Sequence, residues 1–238
     1  MPKVKKTLEP QQARSRESLR KLMKAAAEVL GQHGVEGTTI PRIAQHAGLT
    51  PGSVYRRFHD KEALLEAAIL GILERQEERA RTSMTPEAVR QIPLPVFAET
   101  MINGMVLGYR LNAPLLRALR QFVQGRCQTP FWRKATKLEV RSFERVVELF
   151  MSHRDEIKHP DPRAAISMGL MMVISALFEI VVLPIDLGPL KTFLPKDDLA
   201  LRRELTRMFL SYLGVEAQAP APSSKNEPMT QAPPPASR

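Results

Sequence analysis

The sequence predicts an all-α fold, with a small N-terminal helical unit followed by a larger helical one. Three observations predict it. Apolar residues recur at helical spacing from about residue 15 to residue 213. No stretch shows a convincing period-two alternation, so no strand is expected. The helical runs are punctuated by Ser, Thr or Asp at their heads and by Gly or Pro at their ends. With 238 residues, 43% of them hydrophobic, the chain can fill one large core or two modest ones.

Residues 1–13 read as a disordered basic arm. The first helix follows, capped by Ser15, with Leu19, Leu22, Met23, Ala26 and Leu30 on one face and a stop at Gly34. Thr39 caps a second helix, IPRIAQHA, in which Pro41 falls in the first turn, where no donor is lost. Gly48 stops it. Residues 47–65 then read AGLTPGSVYRRFHDKEALL. Thr50 is placed to cap a third helix, with Pro51 at its first position and Gly52 at its second. Asp60 caps a fourth, running to about Arg81. Prolines 86, 93 and 95 mark a boundary. Further helices are expected at about 95–111, 113–125, 130–153, 161–183 and 196–213. Residues 216–238, rich in Pro, Ala, Ser and Gln, are expected to be disordered.

The second and third helices, joined by Ala47-Gly48-Leu49, form a helix-turn-helix pattern. Ala44 allows close approach, and Gly48 suits a turn with positive φ. Ile43, Ala47, Leu49, Val54 and Phe58 supply apolar contacts. Glycine at position 52 leaves the tip of the third helix bare. Its free N–H groups and positive dipole end suit a phosphate. Ser53 and Arg56 project where they can reach base edges, and Arg matches guanine O6/N7. Tyr55 and Lys61 are placed for phosphates. Charge agrees with this placement. Residues 1–61 hold 12 Lys and Arg against 5 Asp and Glu, within a whole-chain net charge of +10 and a pI near 10.0.

Gly37-Thr38-Thr39-Ile40, Ile43-Ala44 through Ala47-Gly48-Leu49, Gly52-Ser53-Val54-Tyr55 with Phe58, and Lys61-Glu62-Ala63-Leu64-Leu65 together resemble the TetR family of bacterial transcription regulators. The resemblance is specific over about residues 15–65. It implies a cytoplasmic, nucleoid-associated homodimer that binds double-stranded DNA at a palindromic operator, most simply as a ligand-responsive repressor. It implies a helix-turn-helix DNA-binding domain over 14–62 and a helical ligand-binding and dimerisation domain over 63–215. Carried over by position, Thr39, Thr50, Gly52, Ser53, Tyr55 and Lys61 are the implied DNA contacts, with Pro51 and Arg56 beside them on the same helix. Arg56 stands where relatives often hold an aromatic or histidine. Pro41 and Pro51 stand where they often hold polar contacts. Lys3, Lys5, Lys6, Arg14 and Arg16 of the arm either add phosphate contacts or form a solvated tail.

In the C-terminal unit, Met101, Met105 and Tyr109 recur on one helix face. With Phe122, Phe143, Met171 and Phe178 they are candidates to line a pocket for a small apolar or amphipathic ligand, since methionine conforms to irregular shapes; the plain alternative is core. Ala164–Leu183 is apolar, with Glu179 as its single charge. It reads as a helix buried in a bundle or dimer core rather than a membrane span. Glu179 is then exposed, paired, or bonded to a ligand or the partner subunit. The resemblance implies that the last two helices, 161–183 and 196–213, form a four-helix dimer interface with their symmetry mates, with Ala165, Gly169 and Ala176 permitting close packing.

No enzyme is expected. The five histidines are scattered without zinc spacing, HRDEIKH reads as a surface loop, and the lone Cys127 has no base partner. Neither a metal nor a cofactor is implied. Two other function classes fit less of the sequence: an architectural DNA-binding protein without ligand control, and a membrane-associated helical protein.

Overall fold

Helix caps organise the chain from the bottom up. The computed structural model describes residues 8–183 and 188–215. The tail expected over 216–238, and the first seven residues of the expected arm, lie outside the described residues. Helices run α1 (Leu8–Gly37), α2 (Ile40–Ala47), α3 (Pro51–Tyr55), α4 (Lys61–Ser83), α5 (Pro86–Val89), α6 (Leu94–Val123), α7 (Pro130–Met151), α8 (Pro162–Leu177) and α9 (Asp198–Tyr212). The described residues contain no strand. The side chains of Thr39, Thr50, Asp60, Thr85, Thr129, Asp161 and Asp197 each accept a hydrogen bond from the first turn of the helix they precede. Such a cap contributes about 1 kcal/mol. Proline then stands in the first turn of α2, α3, α5, α7 and α8, where it has no donor to lose.

Three expectations about elements are corrected. Ser15 does not cap α1, which begins at Leu8. Pro10 falls in its first turn, where it is tolerated, and Gln11, Gln12, Ala13 and Arg14 are good helix formers. The helix does break at Gly34 (φ 65°) as expected. The helices expected at 95–111 and 113–125 are one, α6, with Pro114 inside it. Near this interruption the Asn112 side-chain amide donates to the Gly108 carbonyl at 2.8 Å, and packing at both ends holds the helix together across the proline. The loop HRDEIKH is not all surface. His153 is only 3% exposed, with its ring over Phe97 (centroids 6.1 Å) and Nδ1 2.7 Å from the Glu156 carboxylate. A 3₁₀ turn over Arg154–Glu156 and the buried Ile157 fold the loop inward.

Two apolar clusters result. One joins Leu22, Val29, Leu30, Ile43, Val54, Leu64 and Leu65 of α1–α4 to Ala118 and Phe122 of α6 and Phe131 and Ala135 of α7. The other centres on Phe97, Phe150 and Phe209, with ring centroids 4.7 and 5.1 Å apart, and adds Ile102, Ile166 and Leu177. The expected boundary at 62/63 falls at the head of α4, whereas packing groups the first turns of α4 with α1–α3. Two seams link the halves. Gly31 of α1 lies against Leu115 of α6. Between α4 and α7, Glu74 pairs with Lys134 (2.9 Å) and Glu77 with Arg145 (3.1 Å).

The apolar stretch at Pro162–Val182 is long and apolar enough to cross a membrane by length and composition, with mean hydropathy 2.2. One side of it (Ala165, Ile166, Gly169, Leu170, Val173, Leu177) is core. Met168 and Met171 lie on the other side, about half exposed. Phe178–Val182 winds as a π-helical turn, and Glu179 on it is exposed. Gly169 serves packing within the chain: an added Cβ would meet the Phe209 ring of α9 at 2.8 Å.

Candidate nucleic-acid interface

The third helix is short, and its residues divide cleanly between core and surface. Thr50 Oγ1 accepts from the Ser53 N–H at 3.3 Å, with Pro51 and Gly52 exposed at the tip. An added Cβ on Gly52 would meet nothing within 4 Å. Packing inside the protein therefore does not call for glycine here, and the bare tip is open to an approaching partner. Val54 is fully buried and ties the helix into the apolar cluster of α1, α2 and α4. Tyr55 is 55% exposed. The Ser53 hydroxyl is turned back, donating to the Thr50 carbonyl at 2.7 Å. Arg56 is exposed, without an ion pair among the described residues.

Tyr55 stands with Thr39 and Lys61 around a cleft of about 360 Å³, also lined by Pro41, His59 and Asp60. Here the heads of α2 and α4 meet the end of α3. Two capped helix starts thus meet beside a phenol and an ammonium, a combination suited to phosphate oxygens. Lys61 has a second attachment. Its Nζ donates to the Val35 carbonyl at 3.2 Å, and its side chain is only 27% exposed. The lysine therefore also ties the head of α4 to the end of α1.

Two arginines not singled out as contacts brace this unit. Arg42 donates to the Gly37 carbonyl. Arg57 donates from Nη1 to the Ser15 carbonyl and from Nη2 to Ser15 Oγ, each at 3.1 Å. A charge run such as Arg56-Arg57 carries no sign that one member faces outward and the other grips a helix 42 positions away.

The seven candidate pocket residues do not share one place. Met101, Met105, Tyr109 and Phe143 are partly buried against the C-terminal core, and Phe178 meets Tyr109 edge-on at 5.5 Å. Phe122 belongs to the other cluster, against Phe131 and beneath Arg126. Its position on α6 is past Pro114, where that helix packs on α1. Met171 faces outward, 48% exposed. A cleft of about 580 Å³ opens elsewhere, among Glu77, Arg141, Arg145, Glu148 and Arg163, and none of the seven lines it. Burial pushes the Tyr109 phenol above its usual range, and the nearby Glu139 charge adds to this. Glu139 presents an open surface, yet the protein around its carboxyl raises it too. Among the described residues no group of three or more His, Cys, Asp or Glu is placed to hold a metal ion.

The sequence profile described as bacterial regulatory proteins, tetR family, matches residues 22–68, which run from the core of α1 through the cleft into α4. Over these residues the chain matches the TetR family. TtgR, an HTH-type transcriptional regulator of Pseudomonas putida, is 28% identical over 131 residues, covering 52% of this chain and 61% of that protein. BetI, an HTH-type transcriptional regulator of Burkholderia thailandensis, is 30% identical over 112 residues, covering 42% and 57%. The match thus spans about three fifths of these relatives. The TetR fold extends further. A TetR-family regulator from Mesorhizobium loti superposes with a TM-score of 0.63 at 18% identity, over 84% of this chain and 97% of the other. FadR from Bacillus subtilis, solved in complex with stearoyl-CoA, gives 0.53 at 19% identity, over 81% and 98%.

Proposed function

We propose that this chain is a DNA-binding transcriptional regulator acting as a homodimer on a palindromic operator, most simply as a repressor released by a small apolar or amphipathic ligand. The carrying observation is the exposed, capped tip of α3 beside the cleft that gathers Thr39, Tyr55 and Lys61. In this reading Gly52, Ser53 and Arg56 face base edges, while Thr39, Thr50, Tyr55 and Lys61 hold phosphates. Residues 14–62 form the DNA-binding unit, and 63–215 the ligand and dimer unit.

The exposed Met168 and Met171 of α8, with Met208 and Tyr212 of α9, form an apolar face fit for a second copy of the chain. Two copies can then present their α3 helices to major grooves one turn apart, about 34–36 Å. A ligand among Met101, Met105, Tyr109, Phe143 and Phe178 that prefers another spacing shifts the population away from the bound form. The α4–α7 and α1–α6 seams carry that change. The stearoyl-CoA held by the Bacillus subtilis relative supports an amphipathic class of ligand. The site of action is the bacterial cytoplasm, on the nucleoid.

Selection of bound duplexes from a random pool by the full chain tests this reading. A two-fold symmetric consensus is expected. Binding without sequence preference indicates an architectural protein instead.

A further inference from the structure

Helix α1 extends beyond the core it serves. From residue 13 onward its first fully buried residue is Leu22, and residues 13–17, 20 and 21 are exposed. From Ser15 back to Leu8 the helix continues for about 10 Å at 1.5 Å per residue. This projecting part is not loose from the rest. Arg57, two positions past the end of α3, grips Ser15 through both the carbonyl and the hydroxyl, at 3.1 Å each. The grip sets the projecting turns against the C-terminal end of the recognition helix.

Over residues 13–21 the free charge is of one kind. Glu17 is occupied by Lys21 (3.3 Å). Arg14, Arg16 and Arg20 are exposed and carry no ion pair among the described residues. Arg14 and Arg16 lie about 100° to either side of Ser15 on the helix, and Arg20 stands one turn beyond Arg16, about 6 Å along the axis. Three unpaired guanidinium groups thus stand on the projecting turns, Arg14 on one flank of Ser15 and Arg16 with Arg20 on the other, beside the end of a helix whose other end is capped for DNA.

We infer that the projecting turns of α1 form a second, sequence-independent DNA contact, in which Arg14, Arg16 and Arg20 hold phosphates flanking each half-site and Arg57 is the positioning residue that braces them. This rests on the DNA-binding reading above. A recognition helix lying in the major groove points its ends toward the bordering sugar-phosphate strands. What is fixed beside such an end therefore meets phosphates rather than base edges.

Each phosphate neutralised contributes about 0.9 to the slope of log affinity against log salt. The test uses the full chain, the duplex selected from the random pool, and a scrambled duplex of equal length. The triple variant Arg14→Ala/Arg16→Ala/Arg20→Ala is expected to bind both duplexes more weakly, with a slope shallower by about 2.7 per bound protomer. Its preference for the selected site over the scramble should be unchanged. Trimming the duplex to the edges of the half-sites should weaken the wild type and leave the triple variant alone. Retention of the wild-type slope by the triple variant overturns the inference. Arg57→Ala is expected to lower the slope in the wild type and not in the triple variant; a further drop in the triple variant means Arg57 touches DNA directly and ends its bracing role. The altered side chains are exposed, and circular dichroism confirms that each variant folds. Failure of the wild type to prefer any sequence would instead strike at the regulator reading, since the slopes can be read on either duplex.

Discussion

Single residues in the recognition unit have separable duties, and substitutions can tell them apart. Thr50 caps α3 and Tyr55 does not support the core. Thr50→Ala should therefore cost about 1 kcal/mol of stability in denaturant unfolding and also weaken DNA binding. Tyr55→Ala should change stability by no more than about 0.5 kcal/mol, as exposed substitutions do, while fluorescence anisotropy shows a loss of DNA affinity. Unaltered binding would remove Tyr55 from the interface. In the C-terminal unit Glu139 offers a pH signature. The protein packed around its carboxyl partly desolvates it and raises it, so the folded state holds the proton more tightly than the unfolded chain. The resulting stability is fully present below the ordinary glutamate pKa and is lost as pH rises through the raised value. Glu139→Gln should flatten that loss, giving a melting temperature above the wild type at neutral pH and a smaller difference in acid.

At the scale of elements, one crossing and one interruption decide the packing. Helices α8 and α9 approach closely because Gly169 has no side chain to meet Phe209. Gly169→Ala forces the ring to move and should cost about 1–3 kcal/mol, the usual penalty of overpacking, read from the urea midpoint. Helix α6 is continuous through Pro114, which lies between a half that packs with Phe97 and Ile102 and a half that packs with Ala118 and Phe122. Pro114 is exposed, so Pro114→Ala removes no core contact and restores one helical N–H. Stability should rise, by up to about 3 kcal/mol. A fall in stability would show that proline itself is needed at this position for α6 to reach both cores.

For the whole molecule, the proposed dimer is the property on which operator binding depends. Met168→Glu with Met171→Glu places charges on an exposed apolar face and should leave the protomer folded. Sedimentation should then report a monomer, and affinity for the palindrome should collapse, because one α3 can occupy only one half-site. A variant that stays dimeric would move the interface elsewhere. The protomer itself holds together across both halves, with Phe122 and Phe131 completing the core under α1–α4. In the proposed mechanism, a shift among the C-terminal helices would reach the DNA unit through packed side chains as well as through the Glu74 and Glu77 ion pairs of α4.

The sequence by itself determined the helical class, most helix starts and the resemblance to TetR regulators. Caps such as Thr39, Thr50 and Asp60, the stops at Gly34 and Gly48, and the apolar periodicity are all interactions between residues a turn or two apart, so they are written locally. The tertiary structure alone decided what depends on distant partners. It joined two expected helices across Pro114, turned His153 inward, parted Phe122 and Met171 from the other pocket candidates, and sent Arg57 to Ser15 while Arg56 stayed free. Those outcomes depend on which surfaces meet after the chain collapses, and no spacing along the chain records that choice.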